Sequence, residues 1–401
     1  MAQVEDVARV VAVAPEHVGH LRLDDVQRTQ AHGRIQVPLE DGVGSESEAR
    51  HVQRNPPVHP DHVSAGTGVN GSLASLLTGR YAQNHGVGSL THRGQHALAE
   101  SQTSLARVLH EAGWRTLAMV STPQLAADLA GLDQGFDRWV GPGLHEGARR
   151  SAEQVVLGAG PDLRQALAAD EPLFALIYLS DPADLKGKAG AAAVPFLEPY
   201  LGPFRSTPPL LAAALDRVRE DPEGGAADFE NALRRRRGTP AHSALQRAKY
   251  DGAVSLVDAA LGELLGWLEE AGRLERATLV VTATRGPRLQ PTSPGSPAFS
   301  PELVRTPLIV RFPGGRPQAR VSSLVRSIDL APSLAESLGM TWPSADGISW
   351  LPMLEGAVDV SGALAFCESA ELDQRAVFDE RFSVRSEEHT SELQSRRNLV
   401  C

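Results

Sequence analysis

Lysine is nearly missing from this chain. Only Lys186, Lys188 and Lys249 are lysines among 39 basic residues, and the rest are arginines. That bias fits a GC-rich bacterial genome and carries little chemistry. Cysteine is as scarce: Cys367 and Cys401 exclude a disulfide framework and a Cys-rich zinc site. No apolar run approaches the roughly 18 residues of a membrane-spanning helix. The opening residues lack a basic start followed by an apolar block, so no signal peptide is visible. An excess of positive charge is also lacking. The net charge of −10 argues against nucleic acid as a partner, because nucleic-acid binders carry basic patches.

What remains is a chain of 401 residues with 42% hydrophobic and 22% charged content, enough for a large soluble core. Residues 71–78 predict a short helix with Leu73, Leu76 and Leu77 on one side. Residues 105–112 predict a second helix, stopped by Gly113, and residues 116–120 a buried strand. Residues 173–179, L-F-A-L-I-Y-L, form an apolar run of strand length. Val254, Val257, Leu261, Leu264, Leu265 and Leu268 recur at helical spacing, so one face of that helix packs on a sheet. Asp329 is placed to cap a helix over 330–338, which Gly339 closes. Alternating strands and helices predict an α/β fold, a mainly parallel central sheet with helices on both faces.

Residues 75–81 read S-L-L-T-G-R-Y and are followed by N-H-G-V at 84–87. Further along come S-L-A-R-V-L-H-E-A-G-W-R-T (104–116), G-F-D (135–137), a helix opening Y-D (250–251), T-L-V-V-T (278–282), T-P-L-I-V (306–310), D-L-A-P-S-L (329–334) and G-I-S-W-L-P-M-L-E-G (347–356). In this order they resemble the framework motifs of the sulfatase family, within the alkaline phosphatase superfamily. The resemblance covers about residues 64–384. It implies the alkaline phosphatase/sulfatase-like fold and, for an active member, hydrolysis of a sulfate or phosphate ester with Ca²⁺ or another divalent metal. The implied partner is an anionic small molecule, a sulfate or phosphate ester. Relatives are often periplasmic or secreted, so the resemblance leaves location open.

The same alignment of motifs locates the chemistry and finds it substituted. Val69 stands where the family carries a Cys, Ser or Thr nucleophile, and a Val side chain can neither attack nor ligate. Leu73 replaces an Arg that steadies the nucleophile. The D-P-H motif reads Asp181-Pro182-Ala183, losing its His at Ala183. The D-H-G metal motif reads Thr284-Arg285-Gly286, which offers a neutral hydroxyl and a positive charge where a cation would need carboxylate. Thr67 and Ser72 are neighbouring hydroxyls that could substitute as nucleophile, or serve simply as a turn residue and a helix cap. His85, in the N-H-G turn, is a structural residue or a substrate contact. Arg285 is a loop residue or a static contact to an anionic ester. The first metal carboxylates belong at the end of an apolar strand, and Asp24 and Asp25 are the best available pair. The polar residues 16–22 before them do not suit a central parallel strand.

Both ends stand apart. Residues 1–63 read as an atypical segment that carries six of the thirteen histidines, as if from another frame or start. Residues 385–395, R-S-E-E-H-T-S-E-L-Q-S, resemble the translation of a sequencing-library adapter, so 385–401 is expected to be read-through and the C-terminal subdomain to be truncated. Two functional readings stay open: a sulfatase-like protein whose active site is degenerate, and an active ester hydrolase with an unorthodox nucleophile.

Overall fold

The structure is a computed structural model that describes residues 9–13, 62–88, 97–143, 149–183, 240–287, 299, 301–314, 323–354, 364–369, 374–378 and 383–387, with isolated positions between 213 and 235. Its centre is a six-stranded sheet. The strands are β1 (Arg9–Val13), β3 (Arg115–Val120), β4 (Arg138–Val140), β5 (Leu173–Tyr178), β6 (Leu279–Thr282) and β7 (Leu308–Arg311), in the order β4-β3-β5-β1-β6-β7. All neighbours pair in parallel except β6 with β7.

Alternation along the strands divides the core into two layers. Leu117 and Met119 of β3, with Leu173, Ala175 and Ile177 of β5, face one side. They pack on α5 (Ala152–Ala168) and α6 (Pro240–Glu270) through Val156, Leu163, Leu264 and Leu268. Ala118 and Val120, with Phe174, Leu176 and Tyr178, face the other side. They pack on α1 (Val69–Thr78), α3 (Leu105–Glu111) and α8 (Leu330–Ser337) through Leu73, Leu76, Leu109 and Leu334. Both faces are covered, which is why β5 is a continuous apolar run. Each helix start has a local cause. Ser104 Oγ accepts the Arg107 N–H at 3.2 Å. Ser151 and Gln154 form a reciprocal capping box.

Two smaller sheets complete the fold. β2 (His62–Val63) runs parallel to β8 (Val325–Arg326). β9 (Ala365–Ser369), β10 (Gln374–Phe378) and β11 (Ser383–Glu387) form an antiparallel sheet.

Two expectations need correction. The first strand of the sheet is Arg9–Val13, well before Leu23, so the N-terminal segment supplies a central strand; R-V-V-A-V is the apolar run that a doubly covered position requires. Asp24 and Asp25 lie outside the described residues. Asp329 does not cap α8 with its side chain. Its carboxylate turns back instead, accepting the Arg326 backbone N–H (2.8 Å) and Nε (3.1 Å) on Oδ2, and the Arg326 guanidinium (2.7 Å) and Ile348 N–H (2.9 Å) on Oδ1.

That carboxylate belongs to a knot of framework motifs. Gly79 ends α1 at φ 67°, a left-handed conformation that glycine adopts without strain, and a Cβ there would press on Pro332 and on the Ile328 carbonyl. The Gly79 carbonyl accepts the N–H groups of Asp346 (2.9 Å) and Gly347 (3.1 Å). Asp346 Oδ2 accepts from Tyr81 N and Asn84 Nδ2, both at 2.8 Å. Tyr81 packs edge-on against Phe366 and accepts the Phe366 N–H at 3.3 Å. Burial opposes the Arg326 charge, yet the bonds to Asp329 outweigh it and lift its pKa above the usual Arg value. Asp329 is buried and Arg326 is partly buried, with side-chain exposures of 3% and 13%. Removing one side of such a pair strands the other charge. Asp329→Asn is therefore expected to cost about 3–5 kcal/mol in a urea melt. A loss under about 1 kcal/mol, typical of a surface pair, would contradict this role.

Candidate functional site

Open α/β sheets bind ligands beyond the carboxyl ends of their strands. Here Val13 of β1 is in register with Tyr178 of β5 on one side and Thr282 of β6 on the other. The start of α1 is brought to the same end by residues 64–68. Ser64 N donates to Val304 O (2.8 Å), Ala65 N to Ser327 Oγ (2.9 Å) and Thr67 N to Glu368 O (3.1 Å), while Glu368 N donates to Ala65 O (3.1 Å). Ser64 Oγ donates to the Thr284 carbonyl at 2.5 Å, joining this segment to the end of β6.

Val69 is the first residue of α1 and packs at the edge of the apolar core. Gly68 before it is extended and offers no side-chain cap. Ser72 is fully buried, and its hydroxyl lies 3.4 Å from Ser64 Oγ, a group too weakly basic to take its proton. Thr67 is 8% exposed, and among the described residues no acid or base hydrogen-bonds its hydroxyl. Leu73 is completely buried in the core between α1 and the sheet. A guanidinium in that orientation would lose its water without gaining a partner.

The other positions have taken framework tasks. Asp181 accepts the Ala152 N–H at 3.0 Å and so holds the start of α5. Ala183 closes the short turn Asp181–Ala183, donating its N–H to Ser180 O. His85 is buried, and its Nδ1 accepts the Val87 N–H at 3.0 Å. That bond leaves the proton on Nε2, which faces Ser75 Oγ at 3.0 Å. One ring nitrogen is engaged by Val87 in the turn and the other faces Ser75 of α1, so both have partners within the framework. Gly286 survives from the metal motif for a packing reason. Its N–H donates to Leu303 O at 2.7 Å, and a Cβ there would sit 1.7 Å from the Glu302 carbonyl oxygen.

Thr284 is buried, and its hydroxyl lies 3.4 Å from the hydroxyl of the fully buried Tyr178. Arg285 follows, partly buried. The donors gathered at this end of the sheet are thus neutral hydroxyls: Tyr178, Thr284, Ser64 and Ser72. Calcium and similar hard cations need several oxygen ligands, with carboxylates carrying the charge. Among the described residues no three Asp, Glu, His or Cys side chains come together, and Arg285 adds positive charge. These residues do not fit a divalent cation. Tyr178 and Ser64 were not singled out in the sequence. Tyr178 ends an apolar strand run, where its ring looks like ordinary core, and Ser64 carries no local signal.

Comparison with known proteins bears on this arrangement. The family model described as Sulfatase matches residues 45–168 and 208–340. The multifunctional alkaline phosphatase superfamily protein PehA of Trinickia caryophylli is 31% identical over 112 residues, 27% of this chain and 22% of that protein. The N-acetylglucosamine-6-O-sulfatase of Bacteroides thetaiotaomicron is 33% identical over 109 residues, 26% of this chain and 20% of that protein. The chain thus matches about a fifth of the length of these two relatives. The solved structure of the phosphonate monoester hydrolase SpPMH from Silicibacter pomeroyi superposes with a TM-score of 0.58 at 19% identity, covering 95% of this chain and 87% of that one. At that identity the likeness speaks for the fold alone.

Two buried histidines make the framework sensitive to acid. Burial pushes both His85 and His62 down to about 4, and His62 Nδ1 lies 2.7 Å from Thr306 Oγ1. Because the folded pKa lies below the unfolded value of about 6.5, their destabilising effect is absent above that pH and grows as pH falls toward 4. By pH 5 each is expected to cost about 2 kcal/mol relative to pH 7. Urea melts at the two pH values check this, and the difference should shrink in His62→Asn. An unchanged difference would remove His62 as a source.

Proposed function

This chain belongs to the sulfatase family, and we propose that it keeps the family's framework and has given up ester hydrolysis. Hydrolysis at such a site needs a nucleophile with a partner to activate it, and charge to neutralise the ester oxygens in the transition state. The observation that carries the reading is the carboxyl end of β6. Thr284 is buried there with its hydroxyl against Tyr178, and among the described residues no three Asp, Glu, His or Cys side chains come together. The start of α1 supports it: Val69 has no reactive atom, and Ser72 is sealed from solvent. Leu73 supports it further, since the position of a steadying cation has become part of the core.

The ligand class that goes with this reading is a sulfate or phosphate ester bound without turnover. Arg285 supplies the positive charge that such an anion would pair with. No calcium or other divalent cation takes part.

Turnover assays on the full chain test the proposal, using an aryl sulfate, an aryl phosphate and a phosphonate monoester with Ca²⁺, Mg²⁺, Mn²⁺ or Zn²⁺. No turnover above the buffer rate is expected with any combination. A rate that depends on the protein and disappears in Thr67→Ala or Ser72→Ala would establish the opposite reading, a hydrolase with an unorthodox nucleophile.

A further inference from the structure

The hydroxyls at the carboxyl end of the sheet do more than fail as ligands. Val13 ends β1 between Tyr178 and Thr282, its register partners on either side. Tyr178 therefore lies one strand away from β6, and its hydroxyl reaches past β1 to Thr284 Oγ1 at 3.4 Å. The Thr284 carbonyl accepts from Ser64 Oγ at 2.5 Å. The Gly66 carbonyl also lies within reach of the Ser64 hydroxyl, at 2.8 Å, so its one proton is shared between two carbonyls of which Thr284 O is the nearer, and its lone pairs face the Gly66 N–H at 3.3 Å. Ser72 Oγ, inside α1, lies 3.4 Å from Ser64 Oγ. Tyr178, Thr284, Ser64 and Ser72 are exposed by no more than 2%.

We propose that these four residues form a neutral hydroxyl clasp that ties β5, β6 and the start of α1 together, in place of a charged cation site. The inference rests on the reading of a site without hydrolysis, but it concerns stability and can fail separately. Three facts favour it. The chain of contacts is continuous from one strand to the next and on to the helix. Its members are buried where an unpaired polar group is costly. Among the described residues no three Asp, Glu, His or Cys side chains come together to hold a cation there.

The test uses the full-length chain and thermal unfolding. Tyr178→Phe and Thr284→Val each delete one hydroxyl at nearly constant shape. Each is expected to lower Tm by roughly 2–4 °C, from the size of one net hydrogen bond in a domain of this class. The double variant should lose less than the sum of the two, because the pair is already broken. Purely additive losses would overturn the clasp. Thr284→Asp, with EDTA or with millimolar CaCl₂, asks the same question from the other side. The clasp predicts a lower Tm that calcium does not restore. A calcium-dependent rise in Tm, in the wild type or in Thr284→Asp, would show a cation site and overturn it. Neither readout depends on turnover: additive losses would remove the clasp and leave the inactive reading standing, a calcium-dependent rise would count against both, and turnover without metal would leave the clasp standing.

Discussion

The Asp329 carboxylate holds together segments that are far apart in the chain. Four N–H groups converge on it, three from Arg326 and one from Ile348. Around it, Gly79 receives the Asp346 and Gly347 N–H groups, and Asp346 in turn receives Tyr81 and Asn84. The turn after α1, the start of α8 and the segment around 346–350 are thereby fixed to each other. α1 depends on that fixing for its position, and the start of α1 is one wall of the candidate site. The geometry of the site is set by the bonds of residues 64–68 at one end of the helix and by these contacts at the other.

This explains which parts of the family pattern are present. Residues that match it carry packing or backbone bonds in this chain. Ser75 meets His85, Thr78 Oγ1 donates to Ala74 O at 2.7 Å, and Arg80 reaches Gln102 and Ser344. Asp137 accepts both the N–H and the hydroxyl of Thr116. Gly286 passes too close to residue 302 for any side chain. Under the proposed function, Val69, Leu73, Ala183, Thr284 and Arg285 are the departures from the pattern. Leu73 contributes to a buried core, where a leucine is worth about 2–5 kcal/mol over alanine.

Much of the fold was legible because buried strands and amphipathic helices leave strong patterns. The helices at 71–78 and 105–112 and the strand at 116–120 shift by no more than two residues at their ends. β1 is not legible because a five-residue apolar run in an otherwise polar segment is a weak signal. The role of Asp329 was misread because capping is a local rule, whereas its real partners include Ile348, nineteen residues away. The substitutions at the site were readable from the motif frame alone. Their surroundings were not. Nothing in the sequence places Tyr178 or Ser64 against Thr284, because these contacts join residues 106 and 220 positions apart.

The central claim is that the framework persists without a cation site. Equilibrium dialysis of the full chain against millimolar calcium at neutral pH tests it most directly, because it counts ligands from every residue, Asp24 and Asp25 included. The account predicts no stoichiometric calcium retained by the protein. About one calcium per chain, lost on replacing Asp24 and Asp25 by Asn, would contradict it and restore the site as a metal centre.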